Sequence, residues 1–201
     1  GTDTGGSCRE PASFSGCIGY KPTYGLISRY GVIAMASSTD VVGLLARNSR
    51  ETALLLDILA GKDVHDSTIV ERAESYMITN SAKSLRVGVI KEFMGSGLND
   101  DVRKAIDIGI TKIKALGNEV VEVSMPSLEL ALAAYYIIVP AEISSNLSRY
   151  DGQRFGFSAP DSGGLEQSYM TSRGVGFGAE AKRRIMIGTY VLSSGYYDAY
   201  Y

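Results

Sequence analysis

The chain has 201 residues, with 20 Lys and Arg against 22 Asp and Glu for a formal net charge of −2, and 45% of it is hydrophobic. That balance excludes a disordered chain and a polybasic nucleic-acid binder. Two cysteines cannot staple a secreted mini-protein, so Cys8 and Cys17 read as free thiols of a reducing, cytoplasmic compartment; the single histidine, His65, leaves little for a histidine-rich metal site or a histidine base, and no run reaches the roughly 18 apolar residues of a membrane span or has the form of a signal peptide.

Residues 1–40, rich in Gly, Ser and small side chains, are predicted to be loops and short strands rather than a long helix. Ser49 is expected to cap a helix through residue 60. Leu54, Leu55, Leu56, Ile58 and Leu59 make it apolar nearly all round, which predicts deep burial, and Gly61 ends it. Residues 62–84 read as a polar loop or linker. Residues 85–90 predict a strand. Asn99 or Asp100 then starts a helix with the stripe Val102, Ile106, Ile110, Ile113 and Leu116, Gly117 stops it, and residues 119–123 form another strand. The result is a strand–helix–strand unit of the parallel kind. Residues 128–146 are helical, with Pro140 placed to kink or interrupt the helix. Seven glycines make residues 151–178 loop-rich, and residues 180–201 predict a final helix without a stop signal. The alternation predicts an α/β fold. A chain that opens on its sharpest motif and closes inside a helix is expected to be a piece of a longer one, terminal disorder being the alternative.

Gly5-Gly6-Ser7 is the strongest chemical candidate. Glycines before a serine let backbone amides turn toward one point, where they could hold an oxyanion while the hydroxyl attacks a carbonyl. The same geometry could cradle a phosphate, or be an ordinary turn. A nucleophilic serine needs a base. His65, in Asp63-Val64-His65-Asp66, reads as a surface residue. A lysine base is chemically possible, but Lys21, the lysine nearest in sequence, reads as structural or exposed. Cys8 reads as a small buried residue. No Cys, His or Asp spacing resembles a metal site. Arg184, in Lys182-Arg183-Arg184, could fork onto a carboxylate, or the triple could be a solvated helix face. Tyr135-Tyr136 fits core packing equally well, and Tyr196 to Tyr201 is an aromatic cluster for packing or a partner surface.

Gly1-Thr2-Asp3-Thr4-Gly5-Gly6-Ser7-Cys8-Arg9-Glu10-Pro11-Ala12 resembles the end of the amidase signature, in which the serine of Asp-Thr-Gly-Gly-Ser is the nucleophile. Gly19-Tyr20-Lys21-Pro22-Thr23-Tyr24-Gly25 and Ser28-Arg29-Tyr30-Gly31 continue the likeness. Ala134-Tyr135-Tyr136-Ile137-Ile138, Pro140-Ala141-Glu142, Arg149-Tyr150-Asp151-Gly152, Lys182-Arg183-Arg184-Ile185 and Gly188 through Asp198 are similar to one branch of that family: the A subunits of bacterial glutamyl-tRNA(Gln)/aspartyl-tRNA(Asn) amidotransferases.

The resemblance implies an α/β fold with a central mixed sheet flanked by helices, residues 1–201 being the central part of one amidase-signature domain. It implies a glutaminase subunit in which Ser7 is acylated. Thr4, Gly5, Gly6 and Ser7 form the oxyanion loop, and Tyr135 and Arg184 contact glutamine, Arg184 through its carboxylate. The family's catalytic Lys and its middle Ser would lie upstream of Gly1, so the 201 residues alone are expected to be inactive. It further implies B and C subunits as partners, with ATP and Mg used by the B subunit, tRNA held mainly there, no cofactor in this chain and no membrane partner. Three departures stand out: Cys8 replaces a usual aliphatic residue, Val42-Gly43-Leu44 lacks the usual proline after the glycine, and the 62–84 loop is short. A stand-alone amidase for another carboxamide and a noncatalytic anion-binding module are the alternatives.

Overall fold

The computed structural model describes residues 1–71, 75–77, 84–160 and 163–201. They gather into two compact units, one of Gly1–Ile78 with Tyr135–Tyr201 and one of Thr79–Ala134. The fold is mixed α/β, as the alternation of patterns predicts.

In the first unit, β1 (Thr2–Asp3) pairs antiparallel with β3 (Val41–Val42), and β2 (Ile18–Tyr20) with β4 (Leu44–Ala46). Between β1 and β2 lies α1 (Arg9–Ser15), a short helix that the small-residue composition of 1–40 does not predict. It ends where Gly16 turns left-handed at φ 67°. α2 (Ser49–Leu59) matches the expected span, but its cap is Asn48, whose side chain accepts from the Glu51 N–H at 2.9 Å. Ser49 is thus the first helical residue. The helix is not deeply buried. Thr52 and Leu56 are its buried residues, while Leu54, Ile58 and Leu59 are 50%, 68% and 47% exposed. One face packs on β2 and β4, with Leu56 joining Ile27 and Leu44 in a core cluster.

The second unit is the predicted crossover. β5 (Arg86–Ile90) and β6 (Glu119–Val123) are parallel, in register from Arg86 opposite Glu119 to Ile90 opposite Val123. α3 (Asp100–Ala115) connects them, capped by Asn99, whose side chain accepts from the Asp101 N–H. Of its predicted stripe, Ile106, Ile110 and Ile113 are half-buried, whereas Val102 and Leu116 at the two ends are exposed.

A 3-10 turn over Pro126–Leu130 leads into α4 (Ala131–Asn146), which runs on through Pro140. The expected interruption does not occur. A proline lacks the N–H for one intrahelical bond, but tertiary packing holds the helix here: Val139, Pro140, Ala141 and Ile143 are all buried. Val139 and Ile143 form a second core cluster with Ala36, against which Met35, Tyr135, Leu147 and Ile185 pack. The continuous helical stretch Pro126–Arg149, 24 residues, is long and apolar enough by length and composition to cross a membrane. A count of consecutive apolar residues overlooks it because Ser127, Glu129, Glu142 and the Ser144-Ser145-Asn146 triplet interrupt the apolar run.

Two further expectations fail. Residues 151–178 contain α5 (Leu165–Gly176), since the glycines concentrate before and at the end of a helix-forming Leu-Glu-Gln-Ser-Tyr-Met segment. The last helix is two, α6 (Ala179–Val191) and α7 (Tyr197–Tyr200). Ser193, Ser194 and Gly195 are poor helix formers, and Gly195 at φ 88° turns the chain out of the right-handed helix. α6 meets α4 at Gly188, where a Cβ would sit 1.8 Å from the carbonyl oxygen of Pro140. Only glycine permits that crossing.

Candidate functional site

The candidate loop, Thr4 to Ser7, leaves β1 and enters α1. Its entry is held by Asp3, which is fully buried. The Asp3 carboxylate accepts from the Cys8 N–H at 3.2 Å, and from Arg9 Nε and Nη2 at 3.0 Å each. Burial pushes the Asp3 carboxyl up, but the bonds from Arg9 and the Cys8 N–H outweigh it and leave the group below its usual range. Thr4 donates its hydroxyl proton to Asp40 Oδ1 at 2.6 Å. Gly6 has φ 151°, a backbone that side chains rarely adopt. The carbonyl of Gly6 accepts from the Glu10 N–H at 2.8 Å and starts α1.

This path leaves the middle of the loop open. Ser7 is exposed. Among the described residues, nothing accepts from the backbone N–H groups of Gly5, Gly6 or Ser7, and no side chain bonds the Ser7 hydroxyl. Such a set of uncommitted amides beside a hydroxyl can stabilise developing negative charge on oxygen.

Tyr135, on α4, joins the loop to the expected carboxylate reader. Its ring lies over Gly5, where an added Cβ would be 2.7 Å from Tyr135 Cε2. Its hydroxyl accepts from Arg184 Nη1 at 3.0 Å. Arg184, on α6, is 25% exposed, and its Nε donates to Glu180 Oε1 at 2.7 Å. Its Nη2 has no partner among the described residues, so the guanidinium keeps donors free for an anion. Bonds from Arg183 and Arg184 hold the Glu180 carboxyl down at about 2. The basic triple therefore divides: Lys182 and Arg183 are exposed, while Arg184 turns to Tyr135. Tyr135 packs partly into the core and meets Tyr136 edge-on at 5.3 Å.

The structure thus brings Thr4, Gly5, Gly6 and Ser7 together with Tyr135 and Arg184. It does not bring His65 or Lys21 to Ser7 by any hydrogen bond. His65 is exposed and stacks on Tyr30 at 4.5 Å, beside a cleft of about 200 Å³ lined also by Arg29, Asp40 and Asp66. Lys21 Nζ donates to the Pro22 carbonyl at 2.9 Å. Cys8 is buried, its sulfur 2.6 Å from where a Gly43 Cβ would be. Sequence reasoning missed Asp3, Arg9, Asp40 and Glu180. Asp3 and Arg9 flank the motif and could have been found as an acid–base pair around it. Asp40 is brought to Thr4 only by the β1–β3 pairing, which no local pattern predicts. Among the described residues, no three His, Cys, Asp or Glu side chains cluster as a metal ion needs.

The amidase family's sequence profile matches residues 1–201. The chain is 53% identical over 205 residues to the A subunit of the glutamyl-tRNA(Gln) amidotransferase of Chlorobaculum tepidum, and 54% identical over 204 residues to that of Geobacter sp. strain M21. Both alignments cover the whole chain, which spans 43% and 42% of these relatives' length. Among solved structures, the corresponding glutamyl-tRNA(Gln) amidotransferase chain of Thermotoga maritima aligns over all of the chain and 39% of its own, at 36% identity and TM-score 0.72. An amidase crystal structure aligns over 99% of the chain and 38% of its own, at 28% identity and the same TM-score.

Proposed function

The chain belongs to the amidase family, and from that premise we propose that it is part of the glutamine-hydrolysing A subunit of a tRNA-dependent amidotransferase. The observation that carries this reading is the bridge made by Tyr135, which lies on the Ser7 loop through Gly5 and holds Arg184 through its hydroxyl. An amide with a carboxylate a few atoms away, such as glutamine, matches a nucleophile and a guanidinium so linked.

In this reading Ser7 Oγ attacks the side-chain carbonyl carbon of glutamine. Its proton passes to a base in the rest of the full-length protein, where the family resemblance expects a Lys relayed by a second Ser. The carbonyl oxygen gains the negative charge and meets the N–H groups of the Gly5–Ser7 loop; losing one such donor typically costs on the order of 100- to 1000-fold in rate. The C–N bond breaks, the nitrogen takes up the proton and leaves as ammonia, and a γ-glutamyl ester remains on Ser7. Water then cleaves the ester to glutamate. The ammonia serves a B subunit, joined through a small C subunit, that uses ATP and Mg to amidate glutamate or aspartate on tRNA. The setting is cytoplasmic.

The test is ammonia release by the full-length protein with its partner subunits. Ser7→Ala is expected to abolish release from glutamine, and near-normal turnover overturns the reading. Comparable rates on simple aliphatic amides would instead favour a stand-alone amidase. A wild-type protein whose Ser7 resists a serine-directed electrophile would favour an anion-binding module.

A further inference from the structure

Asp40 is a buried carboxylate, 4% exposed, with three donors converging on it. Oδ1 accepts from Thr4 Oγ1 at 2.6 Å. Oδ2 accepts from the backbone N–H of Met35 at 2.8 Å and of Ala36 at 3.0 Å. The turn that supplies those amides is itself fastened to α4: Asn146 Nδ2 donates to the Met35 carbonyl at 3.1 Å, and Glu142 accepts from the Ser38 N–H at 3.0 Å. β1 and β3 set Asp3 opposite Val41, which makes Thr4 and Asp40 neighbours across the ladder.

A hydroxyl has one proton, and a bond to a carboxylate is the strongest use it has for it. With that proton committed, the Thr4 side chain has one position, tied to a carboxylate that the backbone amides hold still. The next three residues, Gly5, Gly6 and Ser7, include two glycines and have little of their own to fix their path. We infer that Asp40 is a positioning residue for the reaction proposed above: through the Thr4 hydroxyl it sets the start of the Gly5–Ser7 backbone and so aims the N–H groups and the nucleophile. The inference rests on the reading of Ser7 as nucleophile. The bond also satisfies a buried carboxylate oxygen, so the test includes the Ser7 labelling rate, which a purely structural role would not move.

The experiment compares wild type, Thr4→Val, Thr4→Ser and Asp40→Asn in the full-length protein with its partner subunits, each shown folded by circular dichroism at the assay temperature. Two readouts are taken: the rate at which a fluorophosphonate labels Ser7, mapped by mass spectrometry, and kcat and KM for glutamine. Thr4→Val removes the bond but leaves Asp40 on Met35 and Ala36. It is expected to lower both labelling and kcat on the order of 100-fold, the scale of a misplacement near 1 Å, with KM little changed. Thr4→Ser is expected to restore both, and Asp40→Asn to lower both. Wild-type labelling and kcat in a folded Thr4→Val protein overturn the inference, as does a Thr4→Ser protein no better than Thr4→Val. If wild-type Ser7 is labelled but glutamine is not hydrolysed, the glutaminase reading fails alone, and the labelling rates still decide the role of Asp40. If wild-type Ser7 is not labelled, both fail.

Discussion

Gly5→Ala isolates the contact between the Thr4–Ser7 loop and Tyr135, the residue proposed to help hold glutamine. Gly5 lies outside the positive-φ region, so alanine brings no backbone strain. The whole effect comes from one methyl group, 2.7 Å from Tyr135 Cε2, 3.3 Å from Cζ and 3.4 Å from Cδ2. Ordinary contact requires the ring to retreat by several tenths of an ångström. The ring is not free to do so, because its hydroxyl is bonded to Arg184 and the side chain packs on the Ala36–Val139–Ile143 cluster. Overpacking of this kind costs about 1–3 kcal/mol. Urea unfolding of wild type, Gly5→Ala, Tyr135→Ala and the double variant measures it. Tyr135→Ala removes the ring, so in its background the alanine at position 5 is expected to cost almost nothing, giving a coupling of about 1–3 kcal/mol within the range for contacting residues. Additive effects would show that the ring and the loop do not press on one another, and the bridge that carries the proposed function would lose its basis.

Three other outcomes follow from the geometry. Gly188→Ala forces a methyl group to 1.8 Å from the Pro140 carbonyl oxygen, backbone that cannot swing away; it is expected to cost more than about 3 kcal/mol, seen as loss of the thermal transition or of soluble protein. Tyr135→Phe removes the acceptor for Arg184 Nη1, worth about 0.5–1.5 kcal/mol, so the apparent KM for glutamine is expected to rise about 2- to 10-fold, and Arg184→Ala to raise it further. Bonds from the Thr68 hydroxyl and the Arg29 N–H hold the Asp66 carboxyl at about 2. The stability this supplies is present above about pH 4 and is lost as pH falls through about 2, so Asp66→Asn is expected to flatten the fall in unfolding midpoint between pH 4 and 2, and an unchanged slope would refute it.

The strand–helix–strand unit over residues 86–123 was legible because its signals are local: alternating valines, an asparagine cap, a glycine stop. Helix α5 was not, because the glycines of residues 151–178 mask a helix-forming segment in which Gly174 and Gly176 fall in the last turn. The burial of α2 is shallower than its composition predicts. Apolar residues all round a helix state what it could bury, and the described residues cover only the face toward β2 and β4. The loop was legible as a motif, since glycines before a serine allow a tight backbone path that other residues rarely adopt, as Gly6 does at φ 151°. Its support was not, because Asp40 reaches Thr4 through strand pairing across 36 residues.

α4 explains why the site looked like core in the sequence. Tyr135, Val139, Glu142 and Asn146 recur at four-, three- and four-residue intervals, which places them along one stripe of a helix. Val139 packs on Ala36, Glu142 takes the Ser38 N–H, Asn146 takes the Met35 carbonyl, and Tyr135 covers Gly5. The stripe therefore grips residues 35–38 with its C-terminal part and the Thr4–Ser7 loop with its N-terminal part. Asp40 closes the circuit by tying those two segments to each other. A polar residue on such a stripe usually signals exposure. Here each one meets a backbone group of a turn that has no ladder of its own, so the helix does the hydrogen bonding that a strand would otherwise supply. Tyr135 is core packing and candidate site at once, while Tyr136 and Ile138 beside it are exposed: the ring that packs on the Ala36–Val139–Ile143 cluster is the ring that touches Gly5, and a substitution at Tyr135 is expected to disturb stability and the proposed glutamine binding together.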